Sequence, residues 1–226
     1  MTTETKQIEK TSWRDYFDLC KPRVVGLLVI TAMVGVVLAS PPGELSIFVL
    51  VVSAIGIGLG SAAGAVINQL VERESDAKMA RTEGRPLPTG RLDQQHAFVF
   101  ALLLAAASVF ILTAWINVLT AVLTFASMIG YAVIYTMYLK KATPQNIVIG
   151  GLAGATPPLL GWTAVTNSID PQGLLLVLII YTWTPPHFWA LAIHRRDDYA
   201  KVNVPMLPVT HGIEFTTFSI LGYTMS

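Results

Sequence analysis

The chain has 226 residues, 53% of them apolar and only 13% charged, with a net charge near +1 and a mean hydropathy of +0.58. A soluble domain of this size carries roughly a quarter charged residues, so composition argues against a water-soluble enzyme and gives no ground for a nucleic-acid partner. Cys20 is the single cysteine, which excludes a disulfide framework and any CxxC metal or redox motif.

The N-terminal segment 1–23 mixes Glu4, Glu9, Asp15 and Asp18 with Lys6, Lys10, Arg14, Lys21 and Arg23. It lacks the apolar stretch of a cleavable signal, and its acids do not suit a mitochondrial presequence. Apolar runs then follow at membrane-spanning length, about 20 residues each. They predict helical spans over 24–40, 45–67, 97–116, 118–138, 146–165 and 171–193. A seventh run begins near Ile213 and stops at Ser226, so the expectation is six complete spans plus the start of a seventh, in a chain shortened at its C-terminus.

With six spans the charges sort cleanly. Arg73, Lys78, Arg81, Arg85 and Arg91 fall between spans two and three, Lys140 and Lys141 after span four, and Arg195, Arg196 and Lys201 after span six. Together with the N-terminal five these are all 15 basic residues, and all lie on one side. The opposite loops hold only Glu44 and Asp170. Positive-inside bias places the basic side and the N-terminus in the cytoplasm, and a bacterial inner (plasma) membrane fits best. The expected architecture is all-α: one polytopic membrane-embedded domain over 1–226, with 1–23 as a cytoplasmic segment.

Span two ends in GIGLGSAAGAVINQLVERESD, in which Gly56, Gly60, Gly64, Asn68, Glu72 and Asp76 recur at every fourth residue. Residues four apart share a helix face, drifting about 40° per step, so Asn68, Glu72 and Asp76 can converge, and the glycines above them let a neighbouring helix approach. A solvated helix end is the plain alternative. Ionisable groups on the interior face of a membrane helix point instead to function. Lys78, Arg81, Arg85 and Arg91 follow at once, with Pro86, Pro88 and Gly90 bending the loop. Oxygen ligands beside fixed cations suit Mg²⁺ with a diphosphate, since Mg²⁺ takes one or two carboxylates plus phosphate oxygens and Arg forks grip phosphate.

Further along, Lys140 and Lys141 close span four, where cations suit a helix C-terminus or anchor it at the interface. Gly150, Gly151, Gly154, Pro157 and Pro158 mark span five as closely packed and interrupted, as helices that line a cavity are. His187 lies within span six beside Pro185, Pro186, Phe188 and Trp189; it is either a packing residue or part of a wall for a flat porphyrin, imidazole being a common iron ligand. Asp197 and Asp198 open the second charged loop, either solvated or holding a second Mg²⁺. His194, four residues before Asp198, is positioned to share its helix face.

The first block, NQLVERESDAKMARTEGRPLPTG from Asn68 to Gly90, resembles the first signature of the UbiA membrane prenyltransferase superfamily. Its form is close to the protohaem IX farnesyltransferase (haem O synthase) branch, and Gln69, where the wider superfamily tends to carry Asp, favours that branch. YTMYLKKATPQNIVIGGLAGATPPLLGW from Tyr135 and WTPPHFWALAIHRRDDYAKVNVPMLPV from Trp183 resemble two further blocks of it, in order. The resemblance spans roughly residues 13–226 and implies a UbiA-type bundle, with nine spans in the family. It also implies farnesyl diphosphate and haem b as substrates, haem O as product, and a haem A synthase or terminal oxidase assembly as the recipient. Asn68, Glu72, Asp76, Asp197 and Asp198 would hold Mg²⁺; Asn68, Glu72, Asp76 and Asp198 would be catalytic. Arg81, Arg85, Lys140, Lys141 and Arg196 would bind the diphosphate, and His187 and Trp189 would meet the haem. The wider D-xxx-D spacing is not met at Asp198, where Val202 stands four residues on, which leaves open which of the two acids touches metal. A prenyltransferase with another aromatic acceptor is one alternative; a transporter with an acidic midplane site is another.

Overall fold

The computed structural model describes residues 11–225. Glu4, Lys6, Glu9 and Lys10 of the N-terminal segment lie outside them. Helices dominate, and among the described residues there is no β-strand. A short helix α1 (Trp13–Leu19) opens on a capping box in which the Ser12 N–H donates to Asp15 at 2.8 Å. It leads through Lys21 into α2 (Pro22–Ala39), whose first residue is a proline, a position where the missing N–H costs nothing.

Next comes α3 (Ile47–Asp76), 30 residues long. At 1.5 Å per residue it measures about 45 Å, well beyond a 30 Å hydrocarbon core, so one end must reach the polar region. Then come α4 (Gln94–Trp115), capped by Asp93, and α5 (Val118–Ile129), capped by Asn117. Residues Gly130–Leu139 continue α5 as a ten-residue π-helix into α6 (Lys140–Ala142). The fifth span is two helices, α7 (Asn146–Ala155) and α8 (Pro157–Thr166), as its prolines foretell, and the sixth is α9 (Pro171–His194). Short helices α10 (Arg196–Lys201) and α11 (Leu207–Thr210) precede α12 (Gly212–Thr224).

Among the described residues, six helical spans are long and apolar enough to cross a membrane. Their outward faces carry exposed Val24, Leu27, Leu103, Phe110, Leu175 and Ile179, which is the expected surface of a helix bundle solvated by lipid rather than water. This is a multi-pass membrane protein. Its interior is closed by small residues, as packing without a hydrophobic drive between helices demands. At the contact of α2 with α8, a Cβ on Gly161 would stand 1.9 Å from the Ala32 carbonyl oxygen, and one on Gly35 would stand 2.0 Å from that of Pro158. The small face of α3 behaves as its spacing predicts: Gly56 meets Leu112 of α4, and Gly60 meets Thr124 of α5.

Polar side chains tie the same joints. Ser108 donates to the Gly56 carbonyl at 2.7 Å, and Asn117 donates to that of Thr163 at 2.8 Å. At the break between α7 and α8, Thr156 lies 2.7 Å from Ser127 beside a small cavity of about 50 Å³ that also touches Gly60, Gly64 and Tyr131.

Because backbone stands opposite both glycines, Gly161→Ala is expected to destabilise the bundle by about 2 kcal/mol, and Gly35→Ala similarly. Gly26→Ala, with open space around it, should have little effect. Thermal unfolding in detergent checks this; equal melting of Gly161→Ala and Gly26→Ala would contradict the close approach.

Candidate active site

The polar end of α3 gathers the three oxygen-bearing residues that its four-residue spacing brings into line, and each is met by a cation from another part of the chain. Lys21 donates to Asn68 Oδ1. Lys140 pairs with Glu72, both side chains largely buried. Arg85 pairs with Asp76 at 2.6 Å, with Asp76 only 1% exposed. Three cations thus face two carboxylates and an amide. Asn68 uses its other end as well, donating from Nδ2 to Thr136 at 3.1 Å. A buried carboxylate is tolerable only when it is paired and hydrogen-bonded, and here the partners come from the α1–α2 corner, the loop after α3 and the end of the fourth span.

The π-helix is what brings the fourth span into register. It spans Gly130–Leu139, and within it the Thr136 hydroxyl donates to the Tyr131 carbonyl at 2.8 Å. Over Gly130–Leu139 the wider turn places Thr136 on Asn68 and carries Lys140 to Glu72. Tyr131 and Tyr135 stack with centroids 5.8 Å apart and lie within electrostatic reach of Glu72. Sequence reading treats this span as an ordinary helix. π segments are rare and frequent at functional sites, and no residue spacing here announces one.

The loop after α3 is held from both sides. Thr82 donates to the Asp76 carbonyl at 2.8 Å, turning the chain so that Arg85 faces back to Asp76. Leu87 and Leu92 pack with Leu19 and Val66. Arg91 reaches Asp15 of α1 at 3.4 Å, and Thr11 donates to the Arg91 carbonyl at 2.7 Å. Gln69, 2% exposed, donates from Nε2 to the Leu19 carbonyl at 2.8 Å.

The second charged segment comes within electrostatic reach of the same cluster. Tyr199 of α10 is half-buried; burial pushes its hydroxyl pKa up, Arg81 and Arg195 draw it down, and Glu72 and Asp198 push it up again. Asp198 is half-buried, 3.9 Å from Arg195 and 3.6 Å from Lys201. Asp197, Arg196 and Lys141 are exposed. Lys21 has its pKa lowered to about 8, first by burial, then by Arg85 and Lys140, with Glu72 and Asp76 opposing.

Two sequence-based expectations are corrected. His194 and Asp198 do not share a helix face, because the backbone breaks at Arg195 between α9 and α10. His187 and Trp189 do not form one wall. Residues two apart on a helix face away from each other, so Trp189 is 2% exposed in a core with Ile147 and Leu207, edge-on to Tyr223. His187 is exposed and stacks on Trp183 at 4.5 Å instead. Lys21, Arg195, Tyr199 and Thr136 are the members that sequence reading misses. Lys21 counts there only as one more cytoplasmic charge, although its place before Pro22 marks a corner.

The donor set suits a hard divalent cation. Asn68, Glu72 and Asp76 supply oxygen only, and no three His, Cys, Asp or Glu side chains gather among the described residues, so phosphate oxygens would have to complete the shell. Displaced cations would then lie beside those phosphates.

The chain, a membrane helix bundle with oxygens and cations gathered at one polar end, is a membrane enzyme of the prenyltransferase class: it belongs to the UbiA prenyltransferase family, whose model matches residues 28–226. It is 62% identical over 213 residues to protoheme IX farnesyltransferase 2 of Pseudoalteromonas atlantica, covering 94% of this chain and 70% of that protein. It is likewise 62% identical over 224 residues to the protoheme IX farnesyltransferase of Idiomarina loihiensis, covering 98% and 75%. A UbiA homolog from Archaeoglobus fulgidus bound to DMAPP and Mg²⁺ shares the fold, with a TM-score of 0.72 at 18% identity over 93% of this chain and 74% of that one.

Arg85→Met leaves Asp76 buried without its counter-charge and is expected to lower stability by about 3 kcal/mol, with Arg85→Met/Asp76→Asn recovering most of it. Melting temperatures in detergent decide; a double variant no better than the single would show that the pair is not the source.

Proposed function

We propose that this chain transfers the farnesyl group of farnesyl diphosphate to a vinyl group of haem b, giving haem O and diphosphate. The observation that carries the reading is the row Asn68, Glu72 and Asp76, each capped by a cation; the relatives named protoheme IX farnesyltransferase supply the substrate pair. Asn68, Glu72 and Asp76 would hold Mg²⁺, with Asp198 or Asp197 as a further ligand. Bound there, the ion neutralises diphosphate charge.

The protein's own groups do the rest. Lys21, Arg85 and Lys140, freed from their oxygens, receive diphosphate oxygens, and Arg81 and Arg195 approach from the loop and α10. Lys141 and Arg196, both exposed, extend the same positive rim. As the C1–O bond of the ester breaks, the electron pair leaves with the diphosphate, where preplaced cations stabilise it. The haem vinyl group attacks the allylic carbon, and water adds to the resulting cation with loss of a proton, leaving a hydroxyethylfarnesyl substituent. The apolar bundle interior limits premature quenching by water. His187 would meet a planar acceptor, a reading supported by its exposure and its stacking on exposed Trp183.

Positive-inside bias supports a cytoplasmic position for this site, at the inner membrane of a bacterial cell, and the product would pass to a haem A synthase or terminal oxidase assembly. Incubation with haem b, farnesyl diphosphate and Mg²⁺ is expected to add the mass of farnesyl plus water to the haem. The gain should vanish with EDTA and fall about a hundredfold or more in Asp76→Ala. Diphosphate release with no change in haem mass would point to another aromatic acceptor. Absence of any metal-dependent diphosphate release would favour a transporter.

A further inference from the structure

Two adjacent residues of α3 reach the same corner of the chain by different routes. Asn68 accepts the Lys21 amine, and Gln69 donates to the Leu19 carbonyl two residues earlier. Between those points the chain leaves α1, and Lys21 takes a left-handed backbone, φ 50 and ψ 60. The other positive-φ non-glycine residues among those described are Asn167 and Asn203, and asparagine tolerates that region where lysine does not. A lysine held there needs its surroundings to fix it. The following Pro22 sets φ on one side, and Gln69 fixes the carbonyl on the other. The buried amide nitrogen of Gln69 is committed to the Leu19 carbonyl.

We propose that Gln69 is a positioning residue which, through the Leu19 carbonyl, holds Lys21 in its left-handed turn, so that the amine rests on Asn68 Oδ1 and passes to a diphosphate oxygen when substrate enters. The proposal rests on the Mg²⁺–diphosphate reading above. It makes the α1–α2 corner a working part of the site. Lys21 keeps a metal-ligand oxygen satisfied before metal arrives, and Gln69 sets the distance over which the amine swings. With Gln69 shortened or made apolar, the Leu19 carbonyl loses its donor, the strained turn relaxes, and the amine no longer points at Asn68.

The test is binding of farnesyl thiolodiphosphate, a slowly reacting analogue, with Mg²⁺ to the whole chain in detergent by titration calorimetry. Gln69→Met keeps the volume and removes the donor; Gln69→Asn keeps the polarity and falls short of the carbonyl, which covers the case in which the first does not fold. Lys21→Met is expected to weaken binding about tenfold or more, as loss of a hydrogen bond to a charged group does. Either Gln69 variant should weaken it about fivefold, and Lys21→Arg should retain part of the wild-type affinity. The decisive measurement is the double variant. If Gln69 acts through Lys21, Gln69→Met changes nothing further in the Lys21→Met background. An undiminished effect there, or unaltered binding in both single Gln69 variants, overturns the proposal. Asp76→Ala separates the two levels: if it binds the analogue as well as wild type does, the diphosphate reading itself falls.

Discussion

Burial of Asp76 and Glu72 at the end of a membrane helix requires counter-charges, and the way they are supplied organises the polar end of the bundle. Unpaired carboxylates there would cost several kcal/mol each. The chain sends Arg85 back from the loop after α3, Lys140 down from the fourth span and Lys21 across from the α1–α2 corner. Each pairing helps to fix a segment whose backbone departs from a regular helix. The loop turns at Thr82, the fourth span widens into a π-helix, and the corner adopts a left-handed residue. What looks like local irregularity is the backbone adjusting to bring cations to oxygens.

The apolar part of the bundle answers a different constraint. Lipid solvates the outer faces as well as a neighbouring helix would, so helices cohere by close contact and by hydrogen bonds between spans. The Gly35–Pro158 and Gly161–Ala32 approaches and the Ser108–Gly56 and Asn117–Thr163 bonds hold α2, α3, α4, α5 and α8 as a rigid frame. Against that frame, the break at Thr156 leaves a small void beside Tyr131, in line with the polar end. A rigid frame with its adjustable backbone confined to one end suits a site whose side chains must exchange partners while the helices stay still.

Much of this was legible in the residues. Apolar run lengths placed six helices within a few residues of their observed bounds, except where α3 runs on to Asp76, an extension that the four-residue spacing of Asn68, Glu72 and Asp76 itself implied. The prolines of span five marked its break. The cations were harder to assign, because a one-dimensional reading shows only which residues follow the acids. Arg85 follows them and stands out; Lys21 is 47 residues from Asn68 and counts in the sequence only as a cytoplasmic charge. Gln69 was read as a departure from a wider pattern, whereas its structural task is to hold α1. The π-helix was invisible, since Gly130–Leu139 has ordinary helix-forming and aromatic residues. His187 and Trp189 were grouped by adjacency, though a helix turns them to opposite sides.

On the proposed Mg²⁺–diphosphate reading, the capping of Asn68, Glu72 and Asp76 by cations has a thermodynamic consequence that isolates it from other features of the site. Mg²⁺ alone must displace Lys21, Lys140 and Arg85 without offering them a new partner, whereas Mg²⁺ with diphosphate gives each cation an oxygen to move to. Binding of the two should therefore be strongly coupled, and the coupling is reciprocal. Titration of the detergent-solubilised chain with Mg²⁺, in the absence and then the presence of saturating inorganic pyrophosphate, measures it directly, after correction for Mg²⁺ binding to free pyrophosphate. Affinity for Mg²⁺ at least about tenfold higher with pyrophosphate is the expected result. Equal affinity in the two titrations would mean that the cations do not guard the metal ligands, and would contradict the account of the site.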